Sequence, residues 1–180
     1  MIITKTSFPD LFIIQPKVFQ DERGYFFESY NKDAFSKVGL SVEFVQDNQS
    51  KSQKNTLRGL HFQNPPYEQG KLVYVIKGKV WDVAVDIRKS SPTFGQHYSI
   101  ELTEENKTML WIPSGFAHGF LTLENDTIFC YKCTNLYNKS SEGGILWNDP
   151  QLNINWNTPH PILSDKDNNL PLWKDFVSLF

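Results

Sequence analysis

Residues 57–63 (LRGLHFQ) combine an arginine and a histidine with apolar residues in one short segment. The composition of the segment predicts a β-strand, and a charged Arg58 is costly to bury in a strand without a partner. His61 belongs to the residue type that most often transfers protons near neutral pH. The segment is therefore a candidate catalytic strand, although a lone histidine in a strand is more often a packed, hydrogen-bonded structural residue.

A second histidine, His118, lies between Phe116 and Phe120 in another predicted strand. If both strands border one cavity, His61 and His118 could serve the same site. A packed position for His118 between the two phenylalanine rings fits the same pattern. Tyr131 lies in a third predicted strand, and on its pattern alone it is a packing residue.

The position of Arg58 conflicts with that of His61. Side chains alternate along a strand, so residues 58 and 61 should point to opposite faces. Both can face one cavity only if Gly59 introduces a bulge. Otherwise Arg58 lines a neighbouring groove, or it pairs with a buried carboxylate such as Asp82, which lies in an otherwise apolar predicted strand.

The spacings do not favour a metal site. A metal-binding jelly roll of the cupin type uses a His-x-His pair, a downstream Glu and a further His, whereas only His61 and His118 lie in suitable strands here. Two imidazoles are a small ligand set for a transition metal. Cys130 and Cys133 flank a strand-like run and have no second thiol pair, so we expect free, reduced thiols. We predict a site without metal.

The composition of the chain limits the classes of function that fit. Its 180 residues have the length of one domain, and we take residues 1–180 as a single domain. A formal net charge of −2 gives no basic footprint for nucleic acid. We see neither the apolar region of a signal peptide nor an apolar run of the roughly 20 residues that span a bilayer. We expect a cytoplasmic protein with no nucleic-acid or membrane partner.

Most of the chain predicts short strands separated by turns. An N-terminal arm contains strands at 11–19 and 25–30, and a short helix at 32–38 begins after Asn31 and ends at Gly39. Residues 47–52 are predicted to be a polar loop. The other predicted strands cover residues 41–46, 57–63, 71–76, 79–87, 97–102, 110–113, 116–121 and 127–134.

The connections between these strands predict an all-β fold. We expect a hairpin between 71–76 and 79–87, and a second pair between 110–113 and 116–121. The C-terminal segment is loosely patterned and ends in a helix-like stretch at 170–179. Frequent short strands without α/β alternation are typical of sandwiches and barrels. We predict a jelly-roll (cupin-like) β-barrel or sandwich with an N-terminal strand arm and short helices, mainly C-terminal.

Eight motifs occur in order along the chain: DERGYFFE (21–28), QDN (46–48), LRGLHFQ (57–63), QGKLV (69–73), SPTFG (91–95), IPSGFAHGF (112–120), LWNDP (146–150) and LSDKD (163–167). Together they resemble the dTDP-4-dehydrorhamnose 3,5-epimerase family. The resemblance implies a dimeric jelly roll, without metal or cofactor, that inverts C3 and C5 of dTDP-4-dehydro-6-deoxyglucose in dTDP-L-rhamnose biosynthesis.

The resemblance also implies roles for individual residues. His61 matches the general base, Asp167 matches its carboxylate partner, and Tyr131 matches the acid on the opposite face. Lys71 matches the cation beside the 4-keto oxygen. Tyr137 resembles the aromatic residue near the nucleobase. The other positions that match the substrate-binding set are Arg23, Glu28, Gln46, Asp47, Asn48, Arg58, His118, Glu142 and Lys166.

These roles agree with the chemistry of the residue types, since epimerisation beside a ketone needs a base, an acid and an oxyanion partner. Two alternatives remain open. The first is an epimerase that acts at one centre or on another nucleotide-linked 4-keto sugar, and the second is a non-catalytic sugar-nucleotide binding module. We also expect a homodimer that covers exposed strand edges, with Arg23 or Glu28 supplied by the partner chain.

Overall fold

The structure, a computed structural model, describes all 180 residues and consists mainly of β-strands. It contains two short α-helices, α1 (Lys32–Lys37) and α2 (Asp165–Asn168), and none of its helices has the length and apolar character needed to cross a membrane. The strands, in chain order, are β1 (Ile2–Lys5), β2 (Phe12–Gln15), β3 (Phe19–Asp21), β4 (Gly24–Phe26), β5 (Gln46–Ser52), β6 (Leu57–Gln63), β7 (Lys71–Lys77), β8 (Lys79–Asp86), β9 (His97–Thr103), β10 (Met109–Ile112), β11 (Phe116–Thr122), β12 (Thr127–Cys133) and β13 (Glu142–Gly144).

Eleven of the strands form two antiparallel sheets. The first sheet has the order β1-β2-β10-β7-β12-β5, and the second has the order β13-β6-β11-β8-β9. Strands β3 and β4 form a separate hairpin. The predicted all-β jelly roll is confirmed.

The main core lies between the two sheets. Val73 and Phe129 come from the six-stranded sheet, and Val80 and Phe120 come from the five-stranded sheet. Each such side chain stabilises the fold by about 1.5–3 kcal/mol when fully buried. The outer faces are also covered: Phe35 and its neighbours pack on the six-stranded sheet, and much of the C-terminal segment packs on the five-stranded sheet. The cavity described below therefore lies between two sheets whose outer faces are both covered.

The two predicted strand pairs are wrong. Strands β7 and β8 belong to different sheets, and so do β10 and β11. Only Gly78 lies between β7 and β8, whereas the tightest common hairpin needs a two-residue loop. At Gly78 (φ +79°) and again at Gly115 (φ +85°) the chain crosses from one sheet to the other. These crossings place β8 and β11 in the five-stranded sheet, opposite β7 and β10 in the six-stranded sheet.

The predicted strand at 41–46 and the predicted loop at 47–52 are also wrong. Residues 41–45 have no regular structure, and their apolar side chains Val42 and Phe44 pack on the outer face of the six-stranded sheet. Strand β5, which covers the whole of the predicted loop, pairs with β12 at the edge of the sheet. Its side chains alternate between half-buried Gln46, Asn48 and Ser50 and exposed intervening residues.

The chain ends were predicted with mixed success. Helix α1 forms after Asn31, whose side chain accepts a hydrogen bond from the amide of Ala34 at 3.1 Å, as predicted. Strand β1 was not predicted. The helix-like stretch at 170–179 contains only a 3₁₀ turn at Trp173–Asp175. Its aromatic side chains pack against the five-stranded sheet from a mostly irregular backbone.

Candidate active site

A cavity of about 270 Å³ lies between the two sheets, and most of its lining is polar. Strands β5, β7 and β12 contribute from one sheet, and β6 and β11 contribute from the other. Helix α2 and the residue before it close one side. The lining residues are Ser50, Arg58, His61, Lys71, His118, Phe120, Tyr131, Ser164, Lys166 and Asp167.

Arg58 and His61 reach this cavity together because β6 is bulged. In the register between β6 and β11, His61 lies opposite His118 and Arg58 lies opposite Phe120. The interval of three residues in β6 therefore matches an interval of only two residues in β11. Gly59 lies within the bulge, with φ at +128°. The extra residue reverses the alternation of side chains. The structure thus contains the bulge that a shared cavity requires.

Gly59 also allows β6 to approach β11 closely. A Cβ atom at this position would lie 2.5 Å from the Cα atom of Gly119 and 2.8 Å from the carbonyl oxygen of His118. Both atoms belong to the backbone, so a small side-chain movement cannot relieve the contact. The position therefore requires glycine for two reasons, its positive φ and the lack of space.

Gly59→Ala is expected to lower the free energy of unfolding by about 2–4 kcal/mol, from strain at positive φ and from overpacking. Gly39→Ala is the matched control, because Gly39 has φ +92° but nothing lies within 4 Å of an added Cβ. Urea unfolding at one protein concentration, followed by circular dichroism, measures both variants. If the two variants lost the same free energy of unfolding, the close approach of β6 to β11 would not explain the requirement for Gly59.

His61 and Asp167 form a hydrogen-bonded pair at the cavity wall. Nε2 of His61 lies 2.5 Å from Oδ1 of Asp167, which is 4% exposed. The side chain of Ser164 caps α2 by accepting the amide hydrogen of Asp167 at 3.1 Å. Burial pushes the pKa of Asp167 up, but hydrogen bonding and charge interaction with His61 hold it below its usual value. Asp167 is therefore a carboxylate that orients the imidazole.

Tyr131 and Lys71 lie on the opposite side of the cavity from His61. They belong to the neighbouring strands β12 and β7, and Nζ of Lys71 is 5.9 Å from the centroid of the Tyr131 ring. Burial raises the pKa of the Tyr131 phenol, which keeps it protonated. Burial also lowers the pKa of Lys71, while the charges of Cys133, Asp82 and Glu142 act against that shift. The cavity therefore has a base on one wall, and an acid and a cation on the other.

His118 combines the two interpretations that its sequence allowed. It is 6% exposed and packs near Phe120 and Phe129, yet it lines the cavity. Its Nε2 atom lies 2.9 Å from Oδ2 of Asp82. The alternative pairing of Arg58 with Asp82 is wrong. The Arg58 guanidinium instead donates to the hydroxyl of Ser52, at 3.1 and 3.2 Å.

A smaller groove of about 120 Å³ adjoins the cavity and shares His61, Lys71 and Tyr131 with it. Gln46 and Asn48 lie on its β5 side, joined by a hydrogen bond of 3.0 Å. On the other side the Tyr137 hydroxyl donates to Glu142 at 3.2 Å, and Lys166 pairs with Glu142. Aromatic and amide groups in this arrangement suit a nucleobase and sugar hydroxyls.

Three residues of the predicted binding set do not face this cavity within the chain. Arg23 lies on the β3–β4 hairpin, with a side chain 85% exposed, and pairs with Asp21 at 2.5 Å. Glu28 accepts a hydrogen bond from Asn31 at 2.9 Å, away from the cavity. Asp47 points out from the solvent face of β5 and pairs with a lysine on β12 at 2.8 Å.

Two residues that line the cavity could not be identified as site residues from the sequence. Ser50 and Ser164 line the cavity, but serines in polar segments are common and predict no role. Cys130 and Cys133 are free, as predicted, and both are buried. No group of three or more His, Cys, Asp or Glu side chains is arranged to hold a metal ion.

The sequence model of the dTDP-4-dehydrorhamnose 3,5-epimerase family matches residues 5–175. The dTDP-4-dehydrorhamnose 3,5-epimerase of Salmonella typhimurium is 59% identical over 174 residues, which cover 96% of this chain and 95% of that protein. The crystal structure of dTDP-4-dehydrorhamnose 3,5-epimerase from Elizabethkingia anophelis has a TM-score of 0.92 and 50% identity, and covers 97% of each chain.

A third similar structure holds a ligand. The dTDP-6-deoxy-D-glucose-3,5-epimerase of Legionella pneumophila was solved in complex with dTDP-4-keto-L-rhamnose. Its TM-score with this chain is 0.91 at 49% identity, and the match covers 95% of this chain and 92% of that chain.

Proposed function

The chain belongs to the dTDP-4-dehydrorhamnose 3,5-epimerase family, and from this premise we propose that it inverts C3 and C5 of dTDP-4-dehydro-6-deoxyglucose. The product is dTDP-4-dehydro-L-rhamnose. One observation of the structure carries the proposal: His61 and Tyr131 face one cavity from opposite sheets, with Lys71 in the same wall as Tyr131. A sugar ring between them has a base on one face and an acid on the other.

The first step is removal of a proton next to the ketone. Both C3–H and C5–H are adjacent to the C4 carbonyl, so loss of either proton leaves an enolate whose negative charge rests on the C4 oxygen. His61 takes the proton, and Asp167 fixes its tautomer and stabilises the imidazolium that forms. The 2.5 Å hydrogen bond between them supports this division of roles.

Lys71 stabilises the enolate oxygen. A cation in a cavity with restricted access to water interacts more strongly with a developing oxyanion than it would in bulk solvent. Lys71 is half-buried, and its position beside Tyr131 supports an approach to the C4 oxygen from the wall opposite His61.

Tyr131 completes the inversion. The phenol donates its proton to the enolate carbon from the face opposite His61, and the configuration at that carbon changes. The raised pKa of Tyr131 supports a protonated acid in the resting enzyme. Before the second centre reacts, His61 releases its proton to water and the Tyr131 phenolate regains one from water, so the same pair of residues acts on C3 and C5 in turn.

The adjoining groove accommodates the nucleotide in this proposal. Tyr137 packs on the base, while Gln46 and Asn48 present amides toward it. Arg58 and Lys166 line the main cavity, and in this proposal they neutralise the diphosphate. A guanidinium binds phosphate oxygens in a bidentate manner, which suits Arg58 to this role.

We extend the proposal to a homodimer in which the β3–β4 hairpin reaches the partner's cavity. The hairpin exposes Phe19, Tyr25 and Phe26, each more than half exposed, which is unusual for a cluster of aromatic side chains. Arg23 extends from the same hairpin and is distant from the cavity of its own chain. A second copy would cover the aromatic residues and receive Arg23 at its diphosphate site.

A mixing experiment tests the shared site. Arg23→Ala and His61→Asn are each expected to be inactive as pure proteins. After subunit exchange in equal amounts, half of the dimers are mixed and each contains one intact site, so about a quarter of wild-type activity should return. If Arg23 serves its own chain, the mixture stays inactive although native mass spectrometry shows mixed dimers.

The activity itself is tested with purified chain and dTDP-4-dehydro-6-deoxyglucose. Proton NMR of the sugar ring should show new coupling constants that correspond to inversion at C3 and C5. Unchanged spectra at high enzyme concentration would contradict the proposed function. A product inverted at C3 alone would identify a single-centre epimerase instead.

A further inference from the structure

A second histidine–carboxylate pair lies beside the proposed catalytic pair. Asp82 on β8 is 0% exposed, and its Oδ2 atom lies 2.9 Å from Nε2 of His118 on the neighbouring strand β11. In the register of the sheet, His118 lies directly opposite His61 on β6. Asp82 does not itself line the cavity, whereas His118 does. The carboxylate can therefore influence the cavity only through neighbouring side chains.

The environment makes Asp82 a costly residue for packing alone. It lies within an apolar strand between Val80 and Ala84, both fully buried members of the core cluster. Its Oδ1 atom is buried and has no hydrogen-bond partner. A well-packed apolar side chain in such a position is often as stabilising as a buried ionic group, or more so. A function that depends on the carboxylate accounts for this cost.

The pair fixes both the tautomer and the orientation of the His118 ring. A carboxylate only accepts hydrogen bonds, so Nε2 carries the proton shared with Asp82. The ring also packs near Phe129, with centroids 6.1 Å apart and planes at 21°, and near Phe120 at 6.3 Å. The other ring nitrogen, Nδ1, makes no hydrogen bond within the chain and remains available to a ligand in the cavity.

The charges around His118 favour its neutral form. The ionisable groups near the ring are Asp82 on β8, His61 on β6 and Lys71 on β7. Burial lowers the pKa of His118, and Lys71 and His61 act in the same direction, whereas Asp82 acts against them. A neutral imidazole that donates from Nε2 carries a lone pair on Nδ1 and accepts a hydrogen bond there.

We propose that Asp82 is a positioning residue that acts through His118, holding the Nε2–H tautomer so that Nδ1 accepts a hydrogen bond from a hydroxyl group of the sugar. This inference rests on the proposed function, since the sugar occupies the cavity only if the chain binds the substrate. It assigns His118 a hydrogen-bond acceptor role and gives the buried side chain of Asp82 a function.

The test is a double-mutant cycle of Asp82→Asn and His118→Asn. Asp82→Asn should lower kcat about 10- to 100-fold, the range expected when the partner of a functional histidine is replaced. The affinity for dTDP should stay within about twofold, because the pair faces the sugar and not the nucleotide. In the His118→Asn background the same Asp82→Asn change should have less than about a twofold effect.

Asp86→Asn is the matched control. Asp86 lies on the same strand and is equally buried, but its carboxylate is bound to Arg88, Ser91 and Thr93 and does not line the cavity. This variant should lower the melting temperature while kcat per folded molecule stays within about twofold of wild type, since only buried hydrogen bonds are lost.

Nitrogen-15 NMR of the His118 ring provides a readout that does not depend on turnover. The wild-type protein should show the Nε2–H tautomer, and Asp82→Asn should shift the ring toward a mixture of tautomers. The inference would be overturned if Asp82→Asn left the His118 tautomer or kcat unchanged. It would also be overturned if Asp82→Asn lowered kcat equally in the wild-type and His118→Asn backgrounds. If the wild-type chain converts no substrate, the proposed function fails, and the NMR result still decides whether Asp82 sets the tautomer.

Discussion

Replacing His61 with asparagine is expected to lower kcat by about 10³-fold or more, because general-base catalysis by a positioned side chain contributes roughly that much. Asparagine keeps hydrogen-bonding capacity toward Asp167 but cannot take a proton from carbon. Binding of dTDP should remain within about threefold of wild type, since the nucleotide contacts in our proposal come from other side chains. Steady-state kinetics and calorimetric titration with dTDP measure the two effects separately.

His160→Asn is the control for this variant, since His160 is exposed and outside the cavity. It should behave as the wild-type protein in both measurements. Circular dichroism should show the same fold for both variants. If His61→Asn retained kcat within tenfold of wild type, His61 would not be the base, and the histidine–aspartate pair would have only a structural role.

Replacing Tyr131 with phenylalanine should separate proton removal from inversion. His61 can still form the enolate, and it can return a solvent-derived proton to the face from which it removed one. The ring packing of residue 131 is preserved because only the hydroxyl is lost. We therefore expect at least about a 10²-fold loss of net inversion, while C–H exchange with solvent continues.

Deuterium NMR in D₂O distinguishes these outcomes, because retained exchange labels the substrate without changing its configuration. Tyr98→Phe is a suitable control: Tyr98 packs against the core beside Phe8 and does not line the cavity. This control should invert both centres at the wild-type rate. Full inversion by Tyr131→Phe would show that the second proton comes from another group.

The central strand of the site was predictable from its own residues. Alternation along 57–63 placed Arg58 and His61 on opposite faces, and only a bulge at Gly59 could bring them together. The structure contains that bulge because glycine tolerates positive φ and lets β6 approach β11. A conflict between local rules thus pointed directly to the functional position.

Other parts of the site could not be predicted from local patterns. Every side chain of strand β5 is polar, and half-buried side chains alternate with exposed ones along it. Its inner face borders a polar cavity instead of an apolar core. The hydrophobic periodicity that signals a strand is therefore absent there. Residues 41–45 carried the apolar signal, but they pack on the outside of the sheet.

Contacts between distant segments depend on register, which the sequence does not reveal. Asp167 lies 106 positions after His61, and Asp82 lies 36 positions before His118. The family resemblance supplied the first pair, whereas Asp82 was only a candidate partner for Arg58. Arg23 and Glu28 illustrate a further limit, because a motif does not show which copy of the chain receives its side chains.

The most direct measurement of the central claim is conversion of dTDP-4-dehydro-6-deoxyglucose in D₂O, followed by NMR at C3 and C5. We predict a product inverted at both centres that carries solvent deuterium at each, because every inversion replaces a C–H proton with one from an exchangeable acid. A product without deuterium at C3 and C5, or a substrate that remains unlabelled and unconverted, would contradict enolate chemistry between His61 and Tyr131.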